Sequence, residues 1–249
     1  DLTSQYDMDT VFLSNSGAEA VENAIKVAYD ATGGKYGLTF EGAFHGRTLG
    51  ALSLNRSKAV HRRGYPEIPA VQSVPYCRDR SCSPESCDCG FFVRDSSSLR
   101  EKLHPKRGNV DPEDVAYLIM EPIQGEGGYQ LPSDAFVNEI ADLVDEHDLT
   151  LVADEIQSGV GRTGSMWASD DLPIEPDIIT GAKGLRVGAT ISSTDVFPDE
   201  TGRISSTWGA GDVVNSMMGV FTLDAIEEYD LLDNAVERGR QFKEILADA

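Results

Sequence analysis

The chain has 249 residues, 40% of them hydrophobic, enough for one large domain or two small ones with a sizeable core. Its 42 Asp and Glu residues against 21 Lys and Arg give a net charge of −21, which repels nucleic-acid phosphates and anionic membranes as partners. No run of 18 or more apolar residues is present to cross a bilayer, and the opening "DLTSQYDMDT" does not resemble a secretory signal.

The acidic residues are spread along the chain, with Asp exceeding Glu and Arg exceeding Lys. That pattern suits a halophilic surface kept hydrated in concentrated salt; an ordinary acidic cytoplasmic protein is the alternative. There is no starting Met, and "VERGRQFKEILADA" reads as an amphipathic helix that stops abruptly. Both ends therefore read as cut rather than finished.

In chain order, "TVFL" (10–13) predicts a strand, followed by a loop and the helix "AEAVENAIKVAYD". "YGLTF" (36–40) predicts a strand running into "EGAFHGRT", and 77–98 reads as a Cys- and Ser-rich surface excursion. "VAYLIM" (115–120) predicts a buried strand ending at Glu121. "DAFVNEIADLVDEH" places Phe136, Val137, Ile140, Leu143 and Val144 on one helical face. "LTLVA" (149–153) ends at Asp154, and "DIIT" (177–180) precedes Lys183. Strands alternating with helices predict an α/β fold with parallel crossovers, in which ligands bind beyond the carboxyl ends of the strands. The 14–18 loop, Phe44 and His45, Glu121, Asp154 and Lys183 all fall there.

Each of these residues has an ordinary reading as well as a chemical one. Ser16 with Glu19 matches a capping box, either a plain helix start or an N-terminus whose free N–H groups hold a phosphate. Asp154 at a strand end needs a cation or strong donors, either an Arg or a protonated pyridine nitrogen. Lys183, among Gly181, Ala182 and Gly184, is either a surface lysine or a buried amine of lowered pKa with room for an aldehyde. Together they supply a phosphate cradle, a carboxylate and an amine, and pyridoxal phosphate (PLP) answers all three.

The motifs "NSGAEAVENAIKVA", "EGAFHGRTLGALSL", "MEPIQGEGGY", "VADEIQSGVGRTG", "PDIITGAKG" and "SSTWGAG" span about residues 11 to 212. In these the chain resembles the class III aminotransferases, the ω-aminotransferase branch of the fold type I PLP enzymes. The resemblance implies a three-layer α/β/α large domain with a mostly parallel central sheet. Residues 1–249 would be that PLP-binding domain, with 77–98 as an insertion and without the family's N-terminal segment and small C-terminal domain. It implies phosphate contacts from Ser16, Gly17 and Ala18, and from Thr207 to the phosphate of a neighbouring subunit in a homodimer. It implies Phe44 stacking on the pyridine ring and Ile156 on the opposite face. Asp154 would pair with the ring nitrogen, Gln157 would lie near the ring hydroxyl, and Lys183 would form the Schiff base. His45 would tune the cofactor's surroundings, or be a packed loop residue. Glu121 and Glu126 correspond to acidic residues near the substrate, and Glu126 to one that engages an arginine of the small domain. One departure stands out: Arg186 and Val187 follow "KGL", where relatives carry a glycine-rich stretch.

The expected reaction is transamination of an amino acid or ω-amino acid (4-aminobutyrate, ornithine or lysine-like) with a 2-oxo acid acceptor, in the cytoplasm. A PLP-dependent racemase or aminomutase on the same scaffold and a non-catalytic metal-bearing module are the alternatives. Outside the family pattern, Cys77, Cys82, Cys87 and Cys89 fall within thirteen residues. Four thiols there can close around one tetrahedral ion such as zinc, with an iron–sulfur cluster, local disulfides or free thiols as alternatives.

Overall fold

The computed structural model describes residues 2, 6–68, 70–205 and 209–247. In chain order the elements are β1 (Thr10–Ser14), α1 (Gly17–Thr32), β2 (Tyr36–Phe40), α2 (Leu49–Leu54), α3 (Ala59–Arg62), β3 (Val71–Val74), β4 (Phe92–Val93) and β5 (Ser96–Ser97). They continue with α4 (Ser98–Leu103), β6 (Val115–Met120), α5 (Asp134–His147), β7 (Leu151–Asp154), β8 (Ile178–Gly181), β9 (Gly188–Ser192), α6 (Val213–Glu228) and α7 (Leu231–Ala247).

A seven-stranded sheet has the order β1-β9-β8-β7-β6-β2-β3. The pairs β3–β2, β2–β6, β6–β7 and β7–β8 are parallel, whereas β9 is antiparallel to both β8 and β1. Two reversals restore the direction, so β1 points the same way as β8. The carboxyl ends of β1, β2, β6, β7 and β8 therefore open onto one edge, where α/β folds place their ligands.

The sheet's centre explains its sequence. Every residue of "VAYLIM" in β6 is buried, because helices cover both faces of a parallel sheet and leave no polar side for alternation. On one face Leu38, Phe40, Leu118 and Met120 pack against Phe136, Ile140 and Leu143 of α5. On the other, Ala116, Tyr117 and Ile119 pack against Val21, Ala24 and Ala28 of α1. The helices begin where local chemistry dictates. Ser16 caps α1 by accepting the Glu19 N–H, and Ser133 caps α5 by accepting the Phe136 N–H at 3.1 Å.

Three features differ from the sequence reading. β9 and β3 are additional strands; "GATIS" and "VQSV" carry too little apolar signal to stand out before their neighbours are known. The 77–98 segment is not simply a surface excursion. It contains the β4–β5 hairpin, and Cys77 and Phe91 are fully buried in the same core as Tyr76 and Phe136. Finally, α6 leaves Val213, Val214, Met217, Met218, Val220 and Phe221 exposed, and α7 has no buried residue.

Candidate active site

A cavity of about 390 Å³ sits at the sheet edge where β1, β2, β6, β7 and β8 end. Gly17, Ala18, Phe44, His45, Glu121, Glu126, Asp154, Ile156, Gln157 and Lys183, drawn from five separate segments, line it. Larger hollows of about 580 and 730 Å³ lie at the opposite end of the strands, near Leu151 and Asp177. Their linings include Asp145, Asp170, Glu175 and Asp177, with no arginine or lysine, so they offer an anionic ligand nothing.

The floor is built on Asp154. The sheet buries it at 2% exposure, and three donors hold its carboxylate. His45 Nδ1 meets Oδ2 at 2.7 Å, while the Ile156 N–H and the Thr180 hydroxyl reach Oδ1 at 3.1 and 3.3 Å. The side-chain partner at Oδ2 is therefore not an arginine but His45, 109 residues away in the chain. Nε2 of the same ring lies 3.4 Å from Thr39 Oγ1, and the His45 N–H donates to Asn55 Oδ1 at 2.7 Å. His45 is thus a packed residue that also fixes the carboxylate.

Gly17 opens α1 with its amide at the helix N-terminus. A Cβ placed on it would lie 2.8 Å from Ile156 Cδ1, so any larger residue here would push the Ile156 side chain aside. Ser16 acts as the cap, and the Glu19 carboxylate reaches back to the Asn15 N–H at 2.6 Å, one residue earlier than the usual capping box. The Phe44 ring has the Arg47 guanidinium 5.3 Å from its centroid and meets the His61 ring edge-on at 5.1 Å. Arg47 and Gly46 also line the cavity and were missed in the sequence, although they sit inside the quoted "FHGRT".

The two acidic residues expected near the substrate both line the cavity and differ in environment. Glu121 is 5% exposed, and its carboxylate accepts the Phe44 N–H at 2.8 Å and the Gly125 N–H at 3.0 Å. It ties together two loops of the rim. Burial raises its pKa to about 7, helped by the Asp154 charge and opposed by His45 and the two N–H donors. Glu126 is on the rim, where it pairs with Lys58 at 2.8 Å; that hydrogen bond holds its pKa below the usual value.

Lys183 lines the cavity, but it is exposed rather than buried, and its ammonium donates to Gln157 Oε1. Two of the small residues around it are closely packed. A Cβ on Gly184 would lie 2.7 Å from Val160 Cβ, and one on Gly181 3.2 Å from Leu185 Cδ1. Arg186, the departure from the glycine-rich pattern, takes a left-handed φ of 67° that glycine adopts without cost. Thr207 and Trp208 lie outside the described residues.

The residues present suit PLP. A glycine cradle at a helix N-terminus faces a buried carboxylate across one cavity, an aromatic and an aliphatic side chain flank it, and an amine stands on its rim. The family profile described as Aminotransferase class-III matches residues 1–249. The chain is 35% identical over 248 residues to the acetylornithine aminotransferase of Methanopyrus kandleri, covering 98% of this chain and 57% of that protein. The solved lysine aminotransferase from M. tuberculosis superposes with a TM-score of 0.82 at 30% identity, over 97% of this chain and 59% of that one. The ornithine aminotransferase of Toxoplasma gondii, solved with partial occupancy of PLP at its active site, gives 0.79 at 28% identity, over 98% of this chain and 55% of that one. The chain thus spans somewhat more than half the length of the proteins it matches, and its fold is the mostly parallel α/β fold of the fold type I PLP transaminases. By the match along its whole length, this chain belongs to the class III aminotransferases.

Proposed function

We propose that residues 1–249 form the PLP-binding large domain of an aminotransferase that takes a terminal-amine substrate and a 2-oxo acid acceptor. The observation that carries this is the convergence of Asp154, Lys183 and the Gly17 cradle on one cavity. The relatives described above act on acetylornithine, lysine and ornithine, which supports an amine at the end of an aliphatic chain.

When bound, the cofactor supplies an aldehyde carbon for amines and a ring that accepts electrons. The protein does the rest. The Gly17 and Ala18 amides at the start of α1 hold the phosphate. Phe44 and Ile156 fix the plane of the ring. Asp154, kept in place by His45 and Thr180, holds a proton on the ring nitrogen. Lys183 presents its amine at the rim and carries the proton to and from the substrate's reacting carbon. Gln157 orients that amine by accepting its hydrogen bond.

Borohydride reduction of PLP-loaded protein, followed by peptide mass spectrometry, tests the assignment. The cofactor is expected on Lys183, with no trapped adduct in Lys183→Ala. An adduct on another lysine, or one retained in the variant, removes the assignment. Nitrogen transfer from ornithine, lysine or 4-aminobutyrate to 2-oxoglutarate distinguishes this reading from a racemase or aminomutase, which needs no acceptor.

A further inference from the structure

The Sγ atoms of Cys77, Cys82, Cys87 and Cys89 all lie within 4.8 Å of one another. Individual separations are 3.0 Å for Cys77–Cys89, 3.2 Å for Cys77–Cys82, 3.3 Å for Cys87–Cys89 and 3.9 Å for Cys82–Cys89. None is a disulfide, whose sulfurs are about 2.0 Å apart. Tetrahedral thiolate ligation with bonds of about 2.3 Å sets the sulfurs about 3.8 Å from each other, a little wider than three of these four separations and inside the 4.8 Å that encloses all the sulfurs. An iron–sulfur cluster is a poor fit, since its cysteines bind different irons on the outside of a larger core.

The local backbone builds this arrangement. A turn in which the Cys82 N–H donates to Asp79 O at 2.9 Å carries Cys82 back to Cys77. Gly90, at a φ of 82°, turns the chain after Cys89 into the β4–β5 hairpin. The Phe92 N–H donates to Cys87 Sγ at 3.3 Å, the kind of outer-shell hydrogen bond that steadies a thiolate ligand. Cys77 and Cys82 are buried in the core with Tyr76, Phe91 and Phe136, while Cys87 and Cys89 face partly outward, which leaves an entry path for an ion.

We propose that these four cysteines form a mononuclear tetrathiolate zinc centre, a clamp that ties residues 77–89, between β3 and β4, to one another. The clamp sits beside the candidate active site without belonging to it. Tyr76 precedes the first ligand, meets Phe40 edge-on and Phe136 at a tilt, and donates its hydroxyl to Pro122 O at 3.3 Å. Pro122 follows Glu121, which holds the loops of Phe44 and Gly125. The ion would therefore secure the segment that backs this rim. The zinc centre is separate from the proposed transaminase chemistry, because no cysteine lines the candidate active-site cavity.

Metal analysis of the whole chain, purified anaerobically and without chelator, gives the test. One zinc per chain is expected, lost on changing Cys82 and Cys87 together to Ser. To keep the result independent of whether that variant folds, cobalt(II) is exchanged into the unaltered protein. Visible absorption bands of tetrahedral cobalt–thiolate are expected, with the four thiols unreactive towards a thiol reagent until chelator is added. Substoichiometric metal, octahedral cobalt bands, or thiols that react freely without chelator overturn the proposal.

Discussion

Replacing Glu121 by Gln tests the electrostatics of the site in a way that needs no cofactor. The carboxyl is nearly fully buried, and burial lifts its pKa from the ordinary 4.5 to about 7. A raised carboxyl binds more protons in the folded state than in the unfolded one. Its contribution to stability is therefore greatest below the unfolded value and declines as pH rises from about 4.5 through about 7. A shift of this size corresponds to about 3 kcal/mol lost across that window. Glutamine keeps one acceptor for the Phe44 or Gly125 N–H but has no proton to lose. The unfolding free energies of both proteins would be measured in urea at pH 5, 6, 7 and 8, followed by fluorescence of the buried Trp167. Taking the difference at each pH cancels the other titrating groups. The variant should gain roughly 2 to 3 kcal/mol on the wild type between pH 5 and pH 8, since part of the change lies below pH 5. A flat difference, or one of opposite sign, would show that the carboxyl is already charged at pH 5 and that its two N–H donors outweigh desolvation.

Two further outcomes follow from other contacts. His45→Ala strips the buried Asp154 of its shortest hydrogen bond and should cost about 3 kcal/mol or more in urea unfolding, with His45→Gln recovering part of it; a loss under about 1 kcal/mol would remove His45 as the residue that holds the carboxylate. With a net charge of −21, the fold should gain thermal midpoint as KCl rises from about 0.1 to about 2 M, since salt screens repulsion among exposed charges; an unchanged or falling midpoint would count against a salt-adapted surface.

The parts of the fold that could be read from sequence were those whose signal is local. β2, β6 and α5 run over the residues their apolar patterns mark, because a buried strand or a 3.6-residue stripe records its own environment. β9 could not be read that way: its identity comes from pairing with β1, residue 190 opposite residue 12. The site divides along the same line. That Asp154, Lys183 and Gly17 would meet was visible from strand ends and motifs, and the cavity joins them. Their partners were not visible, since His45 reaches Asp154 across 109 residues and Glu126 finds Lys58 across 68. Lys183 shows the limit of residue-type reasoning. Small neighbours suggested an enclosed amine, yet Lys183 is exposed, while Gly184 packs closely on Val160 and Gly181 on Leu185 and Trp167.

That exposure shifts the electrostatic problem from the lysine to its surroundings. An anionic phosphate approaching this chain meets a large negative charge overall, so the attraction that holds it has to be short-ranged. The cavity supplies it. Arg47 and Lys183 line it, Lys58 neutralises Glu126 at the rim, and the free amides of α1 point in from Gly17 and Ala18. The carboxylates in reach are spoken for: Asp154 by three donors and Glu121 by two. At an ionic strength of about 0.1 M, charges more than about 10 Å away are largely screened, while contacts inside the cavity are not. Added salt therefore weakens the repulsion from the distant surface more than the grip of the site. A very acidic exterior is thus compatible with the phosphate site proposed for this cavity.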